Sequence, residues 1–441
     1  MERMDSWSSS VSRNSLTLSR RISHHVDDDI ESESVSEAGD IGDRALHSRR
    51  HSESSSFHMP NSNDRTTATG VIAPIPASNF VSYGMASGQL MNPVSLDEKV
   101  GPEDITNESD QELPKILNYA SCLIHLAVFG ILGVLTRYLL QKLFGPKIAG
   151  VTSDQTILYP DLPSNMVGSF LMGWFGVVFK EDISNVSEHL AIALTTGYLG
   201  SLTTFSGWNQ DMLELGVSGH WLFLVLGFLI GLFLVAFSII FGVETAKGFK
   251  WLLSKLKMGS RSQNHSSTVN WKVAKCTHHL SVMVVLLVML GLLWGISCAL
   301  VAMEFKHGGS TAQLWFACMV GPLGVWIRWL LARLNGRGIG RNGLFKWIPF
   351  GTLIANVSAA CVMAALATLK KSVNNKNCDT VVTGIQFGLL GCLSTVSTFA
   401  AEFNAMRESM HPWRAYLYAM ITICVSFFFG ILLYCTPVWK M

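Results

Sequence analysis

The sequence predicts an all-helical integral membrane protein, built from two inverted four-helix repeats that a linker helix joins. Beyond about residue 114 the chain is a series of apolar stretches, each near the ~20 residues that cross a hydrocarbon core. A set of short polar motifs occurs twice in this region at one constant spacing. Nine transmembrane helices are predicted, at about 116–141, 163–179, 189–212, 221–243, 279–303, 312–334, 347–369, 380–403 and 414–437.

The repeated motifs keep a spacing of 191 positions along the whole apolar region. A shared spacing over such a length indicates two homologous units with hardly any net insertion between their motifs. Weak internal symmetry in an apolar chain is typical of transporters and channels built from repeated bundles. The pairs are Gly133-x-x-x-Arg137 with Gly324-x-x-x-Arg328, Asn165 with Asn356, 200–206 with 391–397, and Asp211 with Glu402.

The first 113 residues differ from the rest of the chain in charge. They hold 19 of the 31 acidic and nine of the 33 basic residues, so their net charge is −10 and that of the remainder is +12. A serine-rich acidic stretch with few aromatics cannot bury enough apolar surface to offset the entropy of ordering. We predict a disordered acidic cytoplasmic tail at 1–113, repeat 1 at 114–245, a basic loop and linker helix at 246–304, and repeat 2 at 305–441.

The distribution of lysine and arginine predicts the orientation. If the N-terminus is cytoplasmic, most basic residues fall in inside loops, and the C-terminus is extracellular. Each repeat has four predicted spans, so the linker helix at 279–303, which carries none of the repeated motifs, makes the count odd. Repeat 2 is therefore expected to insert upside down relative to repeat 1.

Two arginines and two asparagines recur inside the predicted spans. Arg137 and Arg328 are interpreted either as anchors that snorkel to the membrane interface or as cations at the vestibule of an anion path. Asn165 and Asn356 need partners in an apolar environment. They are expected either to hydrogen bond between helices or to line a polar path.

Consecutive glycine, serine and threonine residues interrupt the third and eighth predicted spans. Irregular backbone at membrane depth persists only where it is buried in protein or lines a polar site, so both helices are predicted to be broken. Carbonyls freed at such a break can bind a cation. The neighbouring aromatics are expected either to be core residues or to turn ring edges toward an anion. The candidate residues are Thr204, Phe205, Ser206, Trp208, Thr395, Ser397 and Phe399.

The last predicted helix carries a stripe of hydroxyl groups. Tyr418, Thr422 and Ser426 recur every four residues and share one helix face. Such a stripe either joins helices or lines a route for a hydrated ion. The fourth predicted helix has no equivalent, since Ser238 is the only polar residue in its body.

Together these motifs resemble the Fluc/CrcB fluoride channels, and the fused two-repeat arrangement is similar to the eukaryotic fluoride exporters (FEX). The resemblance covers about residues 116–437. It implies two antiparallel four-helix units, passive fluoride conduction along two pores, and a central structural sodium ion (Na⁺). By this resemblance the carbonyls of Gly200, Ser201, Gly391 and Cys392 hold the sodium.

The chain departs from the family pattern at its paired phenylalanines. Repeat 1 keeps Phe205 and has Trp208 at the second position, whereas repeat 2 has Val396 at the first and keeps Phe399. In the family, each pore uses the first phenylalanine of one unit and the second of the other. The resemblance therefore implies one pore with both phenylalanines and one with neither, and we predict a single competent pore.

The predicted function is a fluoride-selective channel, not an enzyme, that exports fluoride across the plasma membrane. The single chain is expected to act as a pseudo-dimer without an obligate homodimer and without nucleic acid, and its tail to be dispensable for conduction. The main alternative is a proton-coupled small-solute antiporter, which needs a carboxylate inside the bundle. The acidic residues of the apolar region, Glu402 among them, are expected near helix ends.

Overall fold

The computed structural model describes residues 34–35, 37–40, 42, 114–260, 276–305, 308–340 and 343–441. Within these ranges the regular secondary structure is helical, with one isolated bridge between Ile339 and Leu344. Most of the predicted tail and the basic loop at 261–275 lie outside the described residues. The α-helices α1 to α15 are Lys115–Phe144, Leu162–Met172, Lys180–Val186, Glu188–Ile192, Gly200–Leu202, Phe205–Val217, Trp221–Ser260, Cys276–Glu304, Ser310–Leu331, Phe350–Val373, Lys376–Ile385, Gly391–Leu393, Ser397–Glu408, Trp413–Gly430 and Thr436–Lys440.

Some of these helices continue into one another through wider or tighter helical turns. Four π-helical segments and one 3₁₀ turn fill the gaps. They are Gly173–Val178, Ala193–Leu199, Gln386–Leu390, Ile431–Cys435 and, as 3₁₀, Ala332–Leu334.

Seven of the helical stretches described are long and apolar enough to cross a membrane. An eighth is added if Leu162–Val178 and Lys180–Val186, which meet at 66°, form one span. The prediction of nine helices is therefore not confirmed, because the third predicted span is a succession of short helices. The seven stretches are Lys115–Phe144, Trp221–Leu256, His278–Glu304, Ser310–Leu334, Phe350–Val373, Lys376–Glu408 and Trp413–Lys440.

Both predicted helix breaks are present. In repeat 1, α5 ends at Leu202, and the backbone is extended at Thr203 (φ −104°, ψ 147°) and Thr204 (φ −142°, ψ 127°) before α6 begins. In repeat 2, α12 ends at Leu393, and Ser394 is extended (φ −81°, ψ 158°) before α13 begins at Ser397. Short hydroxyl side chains bond nearby backbone groups in place of the helical pattern, which is why the helices stop at these clusters.

Equivalent glycines allow close packing in both repeats. A β-carbon at Gly133 of α1 would lie 2.6 Å from the carbonyl oxygen of Tyr198, and one at Gly324 of α9 would lie 2.1 Å from that of Leu389. These two contacts are related by the same spacing of 191 that relates the motifs. Any larger residue would push α1 or α9 away from the segment that leads into the break.

The linker helix α8 lies at the edge of the bundle. It packs against α1 and α9, where Leu290 and Trp294 join an apolar cluster. In its most apolar stretch only 11% of the residues are buried in the protein. The remaining surface is aliphatic, as expected for a helix that faces lipid.

A few residues of the predicted tail pack against the helical bundle. Val35 is 2% exposed and Asp40 is 5% exposed. The described residues between 34 and 42 therefore differ from the expectation of a disordered tail, because an apolar side chain and a carboxylate both find partners in the bundle. The rest of 1–113 lies outside the described residues.

Candidate functional site

The two helix breaks meet at the centre of the bundle through their hydroxyl groups. The Thr203 hydroxyl donates to Ser397 Oγ at 3.1 Å, and the matching pair, Ser206 and Ser394, lies 2.8 Å apart. The other cross-break distances are 3.3 Å between Thr203 and Thr395 and 3.1 Å between Thr204 and Ser394. Replacing each residue by its equivalent in the other repeat turns every one of these contacts into another contact of the same set. A two-fold axis between the repeats generates this pattern.

The same hydroxyls satisfy backbone groups that the breaks release. The amide of Ser397 donates to Thr203 Oγ1 at 3.0 Å, and the amide of Ser206 donates to Ser394 Oγ at 3.1 Å. The hydroxyls of Ser397 and Ser206 in turn donate to the carbonyls of Leu199 and Leu390. Each broken helix is thus capped by the other repeat, so neither break is stable without its partner.

Asn165 and Asn356 each hold the non-helical backbone at one break through a pair of hydrogen bonds. The Asn165 amide donates to the carbonyl of Thr204 at 3.2 Å and accepts from the amide of Thr204 at 2.9 Å. Asn356 makes the same pair of bonds to Thr395, at 3.1 and 2.8 Å. Both amides are fully buried, and they join two helices at the break. Of the two interpretations given above, the observed contacts are those of a bond between helices.

The two arginines reach across the repeat boundary. Arg137 donates to the carbonyls of Gly391, at 3.0 Å, and of Phe387, and its guanidinium lies 4.4 Å from the Phe387 ring centroid. Arg328 donates to the carbonyl of Thr196, the position equivalent to Phe387. Both side chains are at most 2% exposed. They are therefore not interface anchors, but buried cations beside the breaks.

The predicted sodium ligands lie next to these arginines. The Gly391 carbonyl accepts from Arg137, and a β-carbon at Gly200 would lie 2.2 Å from Nη1 of Arg328. Ser201 and Cys392 are fully buried. The four residues are brought together at the central crossing, although one of their carbonyls already has a donor.

Phe205 and Phe399 meet at the crossing, and the hydroxyl stripe lies beside Phe399. The ring centroids of Phe205 and Phe399 are 6.4 Å apart, and those of Phe399 and Tyr418 are 5.2 Å apart. Tyr418, Thr422 and Ser426 are all fully buried, so the stripe faces protein and not lipid. The Ser426 hydroxyl has no hydrogen-bond partner among the described residues. A buried hydroxyl without a partner is available to an ion or water that passes.

Glu402 ends this hydroxyl stripe. Its carboxylate accepts from the hydroxyls of Tyr418 at 2.8 Å and Thr352 at 2.6 Å, and its side chain is fully buried. The expectation that this acid lies near a helix end is wrong, because Glu402 lies in the middle of α13. Its recurrence with Asp211 at the repeat spacing was the one sequence signal that pointed to it.

The side of the crossing that carries Trp208 is filled by the indole. Trp208 is fully buried, stacks on Tyr159 at 5.6 Å, and lies against Gly231, where a β-carbon would come within 2.6 Å of Cζ2. Gly231 is the position equivalent to Thr422. Val396, also fully buried, belongs to the same apolar cluster, and so does Phe205, whose ring centroid lies 5.9 Å from that of Trp208. No hydroxyl stripe accompanies this side among the described residues.

A cavity of about 380 Å³ lies beside the crossing, with Gly391 among its lining residues. Arg137, Lys370 and Lys371 contribute cations to its wall, and Asp161, Asp211 and Glu214 contribute carboxylates. Thr204 at the break and Tyr434 of the last helix also line it. The lining therefore joins the central crossing, at Thr204, to Tyr434 in the last part of the chain.

Both halves of the chain match one family model, described as "CrcB-like protein, Camphor Resistance (CrcB)", over residues 124–243 and 315–434. The chain belongs to the CrcB family. The two matched segments confirm the duplication predicted from the motifs, and they confirm the resemblance stated above.

Three bacterial relatives illustrate the CrcB match. The "Fluoride-specific ion channel FluC" of Geotalea uraniireducens (strain Rf4) is 32% identical over 133 residues, which is 29% of this chain and 90% of that protein. "Fluoride-specific ion channel FluC 2" of Listeria monocytogenes serovar 1/2a is 35% identical over 119 residues, 26% of this chain and 85% of the relative. "Fluoride-specific ion channel FluC 1" of Staphylococcus aureus (strain NCTC 8325 / PS 47) is 37% identical over 113 residues, 26% of this chain and 83% of the relative. No solved structure matches the chain significantly.

Proposed function

We propose that this CrcB-family chain is a passive fluoride channel with one competent pore. The single observation that carries the proposal is the difference between the two sides of the crossing. One side has Phe205, Phe399 and a buried hydroxyl stripe, and the other is filled by Trp208 against Gly231. As a member of a channel family, the chain transports an ion and is not an enzyme.

Fluoride loses hydration water in a narrow pore, and the wall has to compensate for that loss. The Ser426 hydroxyl, which has no partner among the described residues, is able to donate to the ion directly. The hydroxyls of Tyr418 and Thr422 donate to Glu402 and to the Tyr418 carbonyl, and they would exchange these bonds for the passing ion. The ring edges of Phe205 and Phe399 carry partial positive charge. Arg137, Lys370 and Lys371 in the cavity wall attract an anion, and they also offset the three carboxylates of the same wall. Fluoride therefore exchanges water for hydroxyl and ring contacts along one line.

No energy source is required for export. Fluoride enters a cell as uncharged HF from acidic surroundings, dissociates in the near-neutral cytosol and is trapped there as the anion. An inside-negative membrane potential favours exit of an anion by about 2.3 kcal/mol for every ~100 mV. An open and selective path is sufficient for detoxification. We place the channel in the plasma membrane with its N-terminus in the cytoplasm.

We also propose that the two repeats form an inverted pseudo-dimer within one chain. The reciprocal contacts between Thr203 and Ser397, and between Ser394 and Ser206, support a two-fold relation. Because the predicted linker helix makes the number of spans odd, the two repeats are expected to insert with opposite orientations. This supports a two-fold axis that lies in the membrane plane. Each break is capped by the opposite repeat, so both halves of the interface are supplied by a single chain and a homodimer is not needed.

The central sodium remains part of the proposal. The α5 and α12 turns end at the crossing, so their last carbonyls lack intrahelical donors and are free to face a hard cation. The Gly391 carbonyl already accepts from Arg137, but a carbonyl oxygen has two lone pairs. Gly200, Ser201, Gly391 and Cys392 thus fit a backbone-carbonyl site, and the ion would supply positive charge that ties the two breaks together.

The deciding experiment measures fluoride efflux from liposomes that contain the full chain, with chloride efflux as the control. Fluoride release without chloride release supports the proposal. The antiporter alternative predicts that release depends on an imposed proton gradient and that Glu402→Gln removes this dependence, since Glu402 is a fully buried acid beside the hydroxyl stripe. Release that is independent of the gradient supports a channel.

A further inference from the structure

The described residues between 34 and 42 cover one end of the hydroxyl stripe. We propose that this segment is a tethered anionic plug, in which the Asp40 carboxylate occupies an anion-binding site at the inner mouth of the pore. The inference rests on the proposed channel function, and it adds an anion site and names the occupant of that site.

The Asp40 carboxylate is held as a small anion would be held. Thr196 Oγ1 donates to one carboxylate oxygen at 2.7 Å, and Thr398 Oγ1 donates to the other at 3.4 Å. The Arg328 guanidinium, whose Nη1 and Nε have no hydrogen-bond partner among the described residues, attracts this carboxylate, and the Glu402 carboxylate repels it. Asp40 itself is 5% exposed. Two hydroxyl donors and a nearby buried cation make a site for an anion.

Backbone contacts fix the segment to both repeats. The Asp40 carbonyl accepts from Asn335 Nδ2 at 3.0 Å. The Lys180 ammonium, at the start of α3, donates to the carbonyl of Gly39 at 3.4 Å and to that of Glu37. Lys180 and Asn335 belong to loops that the predicted topology places in the cytoplasm, which is also where the N-terminus is expected.

Two glycines allow this close approach. A β-carbon at Gly39 would lie 2.4 Å from Oε1 of Glu402, so only glycine leaves room for the Glu402 carboxylate. Gly42 has φ +67°, and a β-carbon there would lie 2.6 Å from the carbonyl oxygen of Trp329. Glycine on both sides of Asp40 therefore allows the backbone to lie close to Glu402 and Trp329.

The segment lies directly over the proposed pore. Glu402, which Gly39 contacts, accepts the hydroxyl of Tyr418, the first member of the stripe. Val35 belongs to the apolar cluster that contains Phe399 and Tyr418. An ion that leaves the cytoplasm toward Tyr418 has to displace this segment. The site takes a small anion or a carboxylate, and in the resting chain the carboxylate is supplied by Asp40.

The first test compares initial fluoride efflux from liposomes with the full-length chain, Asp40→Ala and Gly39→Val. Loss of a charge-assisted hydrogen bond corresponds to a factor of about 10 in an equilibrium constant, so both variants are expected to release fluoride about 10-fold faster. Asp110→Ala makes the same charge change outside the described residues and is expected to match the unmodified chain. Equal rates for the unmodified chain and Asp40→Ala would overturn the plug.

A second readout does not depend on conduction. A cysteine at Thr398→Cys is expected to react with a negatively charged, membrane-impermeant thiol reagent faster when it is combined with Asp40→Ala than alone, because the carboxylate no longer covers it. Unchanged labelling would contradict the plug even if the rates rose. If no variant releases fluoride while the labelling rates differ, the plug stands and the proposed channel function fails.

Discussion

The indole of Trp208 occupies the space beside Gly231, so closely that a β-carbon at the glycine would lie 2.6 Å from Cζ2. In repeat 2 the equivalent positions hold Phe399 and Thr422, and there the aromatic ring lies against Tyr418 instead. The larger ring of Trp208 and the missing side chain at Gly231 thus leave one side of the crossing filled by the indole. The opposite side keeps its hydroxyls.

This difference predicts unequal losses from mutations at equivalent positions. Phe205→Ala or Phe399→Ala is expected to nearly abolish fluoride efflux, because each removes a ring edge from the competent path. Val396→Ala and Trp208→Ala are expected to be tolerated in protein that folds, as judged by gel filtration. Equal losses from both pairs would mean either two active pores or a structural role for all four positions.

The contact between Trp208 and Gly231 also predicts a rescue. Gly231→Val is expected to destabilise the protein by about 1–3 kcal/mol, since overpacking forces the indole out of position. Combining it with Trp208→Ala is expected to restore the melting temperature in detergent, because the valine then fills the space that the indole leaves. Gly248→Val serves as the control, since no atom lies within 4 Å of a β-carbon there. Additive losses in the double variant would show that the two residues do not share one space.

The clamps at the breaks predict a stability effect that is shared by both repeats. Asn165→Ala and Asn356→Ala each leave a buried backbone amide and carbonyl without a partner, at a cost of about 1–3 kcal/mol for each group. Melting temperatures of the two variants are expected to fall by similar amounts. Tyr159→Phe removes only the second acceptor of the Asn165 amide, at 3.3 Å, and is expected to cost less. A variant at either clamp that melts like the unmodified protein would contradict this account.

Much of this arrangement is readable from the sequence, for a physical reason. Glycine and hydroxyl residues in the middle of an apolar span favour a break in the helix. Asn165, in the preceding span, needs a polar partner because an amide is costly to bury alone. The repeat spacing then predicts the second copy of each feature. The positions of the breaks at Thr203 and Ser394, with equivalent asparagines beside them, follow from local chemistry, whereas the bonds that cap each break come from the other repeat.

Other features depend on contacts between distant parts of the chain. The carbonyls that Arg137 reaches lie about 250 positions away, and nothing in the local sequence specifies them. Glu402 is buried because Thr352 and Tyr418 supply hydroxyl donors from two other helices. Asp40 belongs to a polar, acidic stretch whose composition predicts disorder, and its burial depends on distant partners such as the hydroxyls of Thr196 and Thr398.

The proposed sodium predicts that stability depends on the cation present. A ligand that binds only the folded state at 100 times its dissociation constant adds about 2.7 kcal/mol to the free energy of unfolding. The melting temperature is expected to be higher in sodium chloride than in N-methylglucamine chloride at equal ionic strength. Gly391→Ala, whose β-carbon would lie 2.5 Å from Nη1 of Arg137, is expected to abolish this difference. Identical melting in the two salts would remove sodium from the proposal.

The linker helix α8 predicts a test of the inverted arrangement. It contributes to one apolar cluster beside α1 and α9, and none of the residues at the crossing belongs to it. Replacing 279–303 with an unrelated apolar membrane helix is therefore expected to preserve part of the fluoride efflux, with a loss limited to the packing of Leu290 and Trp294. Deleting the helix is expected to abolish efflux, because repeat 2 would then insert the wrong way up and Ser394 could no longer meet Ser206. Accessibility of an epitope tag after Met441 reports the orientation directly, since the tag should move from the outside to the inside in the deletion variant. A deletion variant that still conducts fluoride would show that the two repeats do not need opposite orientations.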